Sequence, residues 1–161
     1  MKVMIVSDTH RVHGYLERMI QLNGRPDLLI HLGDVEGCRE KIEQIAGCPV
    51  EMVCGNCDNA FLDDLPMEKV IYIGSIKILL VHGHMWRVNF TLAGLVDYAK
   101  SINADYVMFG HTHKPLIEKD GGLTIINPGS ISFPRQEDGR RSIVMMYIDE
   151  RENVTLEPKY L

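Results

Sequence analysis

Five short apolar runs in this chain end in polar tips of one kind, and that recurrence constrains the fold more than any other feature. Val3-Met4-Ile5-Val6 leads through Ser7 into Asp8-Thr9-His10. Leu28-Leu29-Ile30-His31-Leu32 leads into Gly33-Asp34, and Val50-Glu51-Met52-Val53-Cys54 into Gly55-Asn56-Cys57-Asp58. Ile78-Leu79-Leu80-Val81 runs into His82-Gly83-His84, and Tyr106-Val107-Met108-Phe109 into Gly110-His111-Thr112-His113. The runs are too short for stable helices, and their β-branched residues suit buried strands. The tips cannot be core. In an α/β sheet, ligands bind in the crevice outside the carboxyl ends of the strands. Five such tips predict one polar cluster there.

The segments between the runs supply the helices. Tyr15, Leu16, Met19 and Ile20 share one face of a helix over 13–23, which Gly24 and Pro26 stop. Ile42, Ile45 and Ala46 face inward on a second helix over 36–46, with Gly47 as its C-terminal cap. Strands over 3–6, 27–32 and 50–54 then make a βαβαβ opening, which implies a parallel sheet covered by helices. Gly74-Ser75 joins 70–73 and 76–81 in a two-residue hairpin. A third helix over 91–101 carries Leu92, Leu95, Val96 and Ala99, approached by a loop over 85–90. Beyond His113 the pattern is all strand: 116–119, 123–126, 142–148 and 154–157. Asp120-Gly121-Gly122 turns the first pair, and Asn127-Pro128-Gly129-Ser130 reads as a tight turn. Asp63, Asp64 and Pro66 fall in a polar connection. With no repeat or linker, the expectation is one domain over 1–161, α/β in class, with two sheets face to face and helices outside.

Composition narrows the function. The chain of 161 residues is 45% apolar and 24% charged with net charge −5, which argues against a duplex nucleic-acid binder and leaves a small anionic substrate open. No signal-peptide pattern precedes the first strand, and Gly74, Ser75 and Lys77 interrupt the most apolar region, so a cytoplasmic, non-membrane protein is expected. Its cysteines, Cys38, Cys48, Cys54 and Cys57, would be reduced there. Cys54-x-x-Cys57 straddles a strand end rather than opening a helix, and no second pair at zinc-ribbon spacing accompanies it, so a redox or thiolate-zinc site is disfavoured.

Asp8, His10, Asp34, Asn56, His82, His111 and His113 are more donors than one ion can use. Their nitrogen and oxygen atoms suit two divalent ions, Mn²⁺ first and Zn²⁺, Fe²⁺ or Ni²⁺ next. Asp34, alone on its tip, is the natural bridge for a pair about 3.5–4 Å apart. Two such cations, two aspartates and a hydroxide leave a net charge of about +1, which attracts an anion, and metal-bound water with a pKa of about 7 supplies the hydroxide.

These motifs resemble, in order, those of the calcineurin-like metallophosphoesterases: Asp8-x-His10, Gly33-Asp34, Gly55-Asn56-x-Asp58, His82-Gly83-His84 and Gly110-His111-x-His113. With Asn127-Pro128-Gly129-Ser130 and the short chain, the whole resembles the compact YfcE-like phosphodiesterase branch. The resemblance implies a four-layer α/β/β/α sandwich of two mixed β-sheets. It implies that Asp8, His10 and His113 hold one metal, that Asn56, His82 and His111 hold the other, and that Asp34 bridges. The implied activity is attack of a metal-bound hydroxide on a small phosphodiester, with Asp34, Asn56 and His84 in the catalytic set. Much of the family has His after the Asn; Cys57 here is a weaker proton donor, and His84 is the nearest substitute. A phosphomonoesterase and a non-catalytic metal-binding scaffold like a eukaryotic retromer subunit are the alternative functions, and a homo-oligomer is left open.

Other residues have plainer readings. His31, inside a strand, reads as a hydrogen-bonded core histidine, and His13 as surface. Asp58 either orients a ligand or caps a turn. Trp86 either stacks on substrate or packs on the core. Arg11 and Arg135 either contact phosphate or are solvated, and Cys57, Trp86 and Arg11 are the candidate substrate contacts.

Overall fold

The structure is a computed structural model that describes residues 1–37, 39–58 and 64–161. The readings on Cys38 and Asp63 lie outside these residues.

Two five-stranded mixed sheets form the centre. The first is built from β1 (Lys2–Val6), β2 (Leu28–His31), β3 (Val50–Met52), β9 (Ser142–Ile148) and β10 (Val154–Tyr160), in the order β10-β9-β1-β2-β3. The second contains β4 (Glu68–Ile73), β5 (Ile76–Val81), β6 (Tyr106–Met108), β7 (Pro115–Asp120) and β8 (Leu123–Pro128), in the order β4-β5-β6-β8-β7. β1, β2 and β3 run parallel, as do β5, β6 and β8, while β9, β10, β4 and β7 pair antiparallel. Helices α1 (Gly14–Asn23) and α2 (Arg39–Ala46) cover the first sheet, and α3 (Ala93–Ser101) the second. This is the expected α/β/β/α sandwich.

The layers follow from the two-residue period of a strand. Val3 and Ile5 of β1 and Ile78 and Leu80 of β5 point into the core between the sheets. Met4 and Val6 turn the other way, toward Leu16, Met19 and Ile42 of α1 and α2. Leu79 and Val81 pack beneath Leu95, Val96 and Ala99 of α3. β1 and β2 are buried on both faces, so they read as unbroken apolar runs rather than alternating ones.

Three differences from the sequence reading have local causes. α2 begins at Arg39, not at Glu36, because Glu36 takes a left-handed conformation (φ 52°) and its N–H donates to Asp58 Oδ1 at 2.7 Å. Asn127 and Pro128 are not in a turn; they end β8, where Pro128 pairs with Pro115 and needs no ladder donor of its own. α3 starts two residues later than expected, with Thr91 Oγ1 accepting the Ala93 N–H at 3.2 Å.

Candidate metal centre

The five parallel-strand tips meet at one edge of the sandwich. β1 and β2 stay paired beyond their ends: Asp8 N–H donates to Gly33 O at 3.0 Å and His10 N–H to Asp34 O at 2.9 Å. Gly110 N–H donates to His82 O at 2.9 Å, which ties the β5 and β6 tips together. Asp8, His10, Asp34, His111 and His113 all have positive φ, between 43° and 65°. Such backbone is uncommon for residues with side chains and gathers at functional sites. Gly55 explains why one tip must be bare: a Cβ there would collide with the Asp34 carboxylate.

One donor atom from each of Asp8, His10, Asp34 and His113 lies within 4.8 Å of the others. His113 Nε2 stands 3.1 Å from Asp8 Oδ1, and His10 Nε2 is 3.8 Å from Asp34 Oδ2. His82 Nε2 is 3.4 Å from Asp34 Oδ2 and 3.2 Å from Asn56 Oδ1. The His111 ring centroid is 5.2 Å from that of His82 and 6.2 Å from that of His84. His10, Glu36 and Cys57 form a second cluster of candidate ligands, sharing His10 with the first.

Three histidines have their outer nitrogen engaged by an acceptor. His82 Nδ1–H donates to Leu32 O at 2.7 Å and His113 Nδ1–H to Phe133 O at 2.6 Å; His10 Nδ1–H donates to the Glu36 carboxylate. A carbonyl accepts only, so the proton of the neutral ring sits on Nδ1 and the Nε2 lone pair faces inward. There it confronts carboxylate oxygens, which also only accept. Asp8 Oδ1 is buried with no hydrogen-bond partner among the described residues. Lone pair against lone pair is unfavourable unless a proton or a metal cation lies between them, and several such acceptors converging on one spot fit divalent metal.

Electrostatics follow from the same crowding. Burial pushes the Asp8 and Asp34 carboxyls up, but His113 and His82 beside Asp8, and His82 beside Asp34, hold both below the ordinary carboxylate range. Burial pushes His82 down, yet Asp34 and Asp8 outweigh it and leave the ring more basic than usual. Burial and His82 make His84 and His111 less basic. The Cys57 thiol is pushed up to about 12 by burial and by the Asp34 charge, so it keeps its proton at neutral pH.

Asp58 caps its own turn and ties it to the β2 tip: its carboxylate accepts from the N–H groups of Gly55 (2.8 Å), Asp34 (2.7 Å) and Glu36 (2.7 Å). His31 is the hydrogen-bonded core histidine expected, accepting Gly33 N–H on Nδ1 at 3.2 Å and facing Thr9 Oγ1 at 3.2 Å. His13 is half-buried rather than surface. Trp86 stacks on Tyr98 with centroids 4.9 Å apart, which gives it a packing role. Arg11 Nε donates to Glu36 O at 2.7 Å. Sequence reasoning missed Glu36, Asn89 and Asn127 as positioning residues. Asn89 Nδ2 is 2.8 Å from His111 Nε2, and Asn127 Nδ2 donates to Gly110 O (2.8 Å) and Thr112 Oγ1 (3.0 Å). Only Asn127 left a signal, the Asn-Pro-Gly-Ser stretch.

The calcineurin-like phosphoesterase superfamily domain matches residues 1–151. The chain belongs to that superfamily. Within it, the chain is 38% identical over 136 residues to the probable metallophosphoesterase YsnB of Bacillus subtilis, covering 84% of this chain and 78% of the relative. It is 29% identical over 159 residues to the phosphodiesterase YfcE of Escherichia coli K12, covering 84% and 82%. A solved structure of E. coli YfcE superposes with TM-score 0.69 over 98% of both chains at 22% identity. Vps29 of Entamoeba histolytica complexed with Zn²⁺ superposes with TM-score 0.77 over 99% of both chains at 25% identity. No helix among the described residues is long and apolar enough to cross a membrane.

Proposed function

We propose that this superfamily member is a two-metal phosphodiesterase of the YfcE-like kind. Asp8, His10 and His113 would hold one divalent cation, Asn56, His82 and His111 would hold a second, Mn²⁺ foremost, and Asp34 would be shared by both. The observation that supports this most is the set of inward Nε2 lone pairs of His10, His82 and His113 set against Asp8 and Asp34. Bound cations supply an acidified water and charge neutralisation at phosphorus. Asp58 keeps Asp34 in place through backbone N–H groups. Cys57 N–H donates to Asp34 Oδ1 at 2.8 Å, so the position after Asn56 supports the bridge while offering the leaving oxygen only a weakly acidic thiol. Arg11, exposed beside Glu36, is a candidate phosphate contact.

A non-catalytic metal-binding scaffold is the second reading. The Zn²⁺-complexed Vps29 favours it, since that chain superposes better than YfcE and metal binding alone needs nothing beyond the donor set. Assay of bis(p-nitrophenyl) phosphate after chelation and after Mn²⁺ return separates the two. Activity lost and then restored is expected. Calorimetric Mn²⁺ binding with no turnover of diesters, cyclic nucleotides or monoesters would leave the scaffold, and monoester turnover above diester turnover would make the protein a phosphomonoesterase.

A further inference from the structure

A cleft of about 390 Å³ opens beside the candidate centre, between the start of α3 and the β6–β7 connection. That is within the size range of small-ligand sites. Buried Val88 and Phe109 and half-buried Leu92, Pro115 and Leu116 make one part of its lining apolar, and Thr112 is among the residues of the polar part. Asn89 and Lys114 also line it. The Lys114 side chain has no ion pair among the described residues.

The cleft is joined to the centre by Asn89, whose amide nitrogen is 2.8 Å from His111 Nε2. An apolar hollow joined directly to a strongly polar cluster calls for a ligand that carries both characters. A phosphodiester does, because its phosphate belongs at the polar cluster and its two ester arms must lie elsewhere. A second cleft, lined by Met67, His84 and Met85, lies at the other end of the 83–89 turn, so the two arms of a diester have separate places. We infer that the 390 Å³ cleft receives the arm retained on phosphorus, and that this arm is an aromatic ring. A flat ring fits an apolar lining with a lysine beside it, because an ammonium is attracted to a ring face, and the Asn89 carboxamide offers a polar contact at the ring edge. The inference rests on the phosphodiesterase reading.

Two substrates with the same leaving group isolate the retained arm: p-nitrophenyl phenyl phosphate and p-nitrophenyl methyl phosphate. The Mn²⁺-loaded wild type is expected to favour the phenyl ester by about 10-fold or more in kcat/KM, chiefly through KM. Leu92→Trp and Leu116→Trp each fill the cleft and should bring the ratio to about 1 by removing the phenyl ester's advantage; thermal melts confirm that each variant is folded. No preference in the wild type, or an undiminished one in both folded variants, overturns the inference. Hydrolysis of neither ester would defeat the phosphodiesterase reading instead. The cleft is then judged by calorimetry with phenylphosphonate and methylphosphonate on the Mn²⁺-loaded protein, where tighter binding of the phenyl probe upholds it and equal affinities refute it.

Discussion

The two halves of the candidate centre are not equivalent. On the Asp8 side, Asp8 and His113 are buried, and Nδ1 of His113 is held by the Phe133 backbone carbonyl and that of His10 by Glu36. On the other side, His82 is just as firmly held by Leu32 O. Asn56 is exposed, with Nδ2 against the Cys57 sulfur at 3.2 Å, and the half-buried His111 meets another side chain, Asn89. Each half has one ring held by a backbone carbonyl and one held by a side chain, so the halves differ at their third donor: Asp8 is a buried carboxylate, whereas Asn56 is an exposed, neutral amide. The Asp8 side should bind its cation more tightly and the Asn56 side should lose its cation first.

The comparison breaks most completely at Asp34, which the proposed assignment shares between both halves. Asp34→Asn removes one negative charge and should lower kcat by at least ~10²-fold, about 2.7 kcal/mol in barrier. Both Mn²⁺ affinities should weaken together, and a titration in which only one did would deny Asp34 the bridging role. Glu36→Ala and Asn89→Ala sharpen the contrast, because each removes one ring anchor. Loss of a partner that orients a metal-bound histidine typically costs about 10–100-fold in affinity. Calorimetry should show the tighter equivalent weakened in Glu36→Ala and the weaker one in Asn89→Ala; the same equivalent affected in both would erase the distinction.

Cys57 tests the looser half. With a thiol, a weaker acid, in place of an imidazolium, rate should depend steeply on leaving-group basicity. General acids are typically worth about 10²–10⁴-fold. Cys57→His should recover part of that, narrowing the aryl-over-alkyl gap by about 10-fold. A flat plot of kcat/KM against leaving-group pKa in the wild type would show that another acid already serves.

A separate effect, read in stability rather than rate, concerns the core beneath the site. Burial pushes His31 down to about 4 from its ordinary 6.5. The folded protein therefore refuses a proton that the unfolded chain accepts below 6.5. Stability from this group is complete above that pH and is lost as pH falls toward 4. Melting temperatures of His31→Gln should decline less steeply than those of the wild type over that window, and parallel declines would assign the slope to other groups.

Much of this centre was legible because strand tips are local. Asp8, Asp34 and His82 each follow an apolar run by at most two residues, so a two-residue period and a parallel sheet place them. The anchors were not legible, because they are distant and chemically anonymous. Leu32 and Phe133 contribute backbone carbonyls, which no side chain advertises, from 50 and 20 residues away from their histidines. Glu36 was misread as a helix start, since an acidic residue suits a helix N-terminus. What decided its conformation was Asp58, whose hold on Glu36 N–H spans 22 residues. Asn127-Pro128 has turn-forming composition, yet its pairing with β7 overrode local preference.

The pairing of β1 with β9 carries a consequence for synthesis. Lys2 lies opposite Tyr147, so the strand that presents Asp8 waits until that distant segment is made before its second neighbour exists. Until then one edge of β1, apolar and unpaired, is available to any other extended segment, which is the usual route to aggregation. Contacts of such sequence separation also slow folding. On the ribosome, β1, β2 and β3 emerge together early, but the centre they help to form is completed late, after the His111–His113 tip has emerged, and their sheet is closed only by the C-terminal strands. Chains released short of residue 148 would expose that edge and have no means of sealing it.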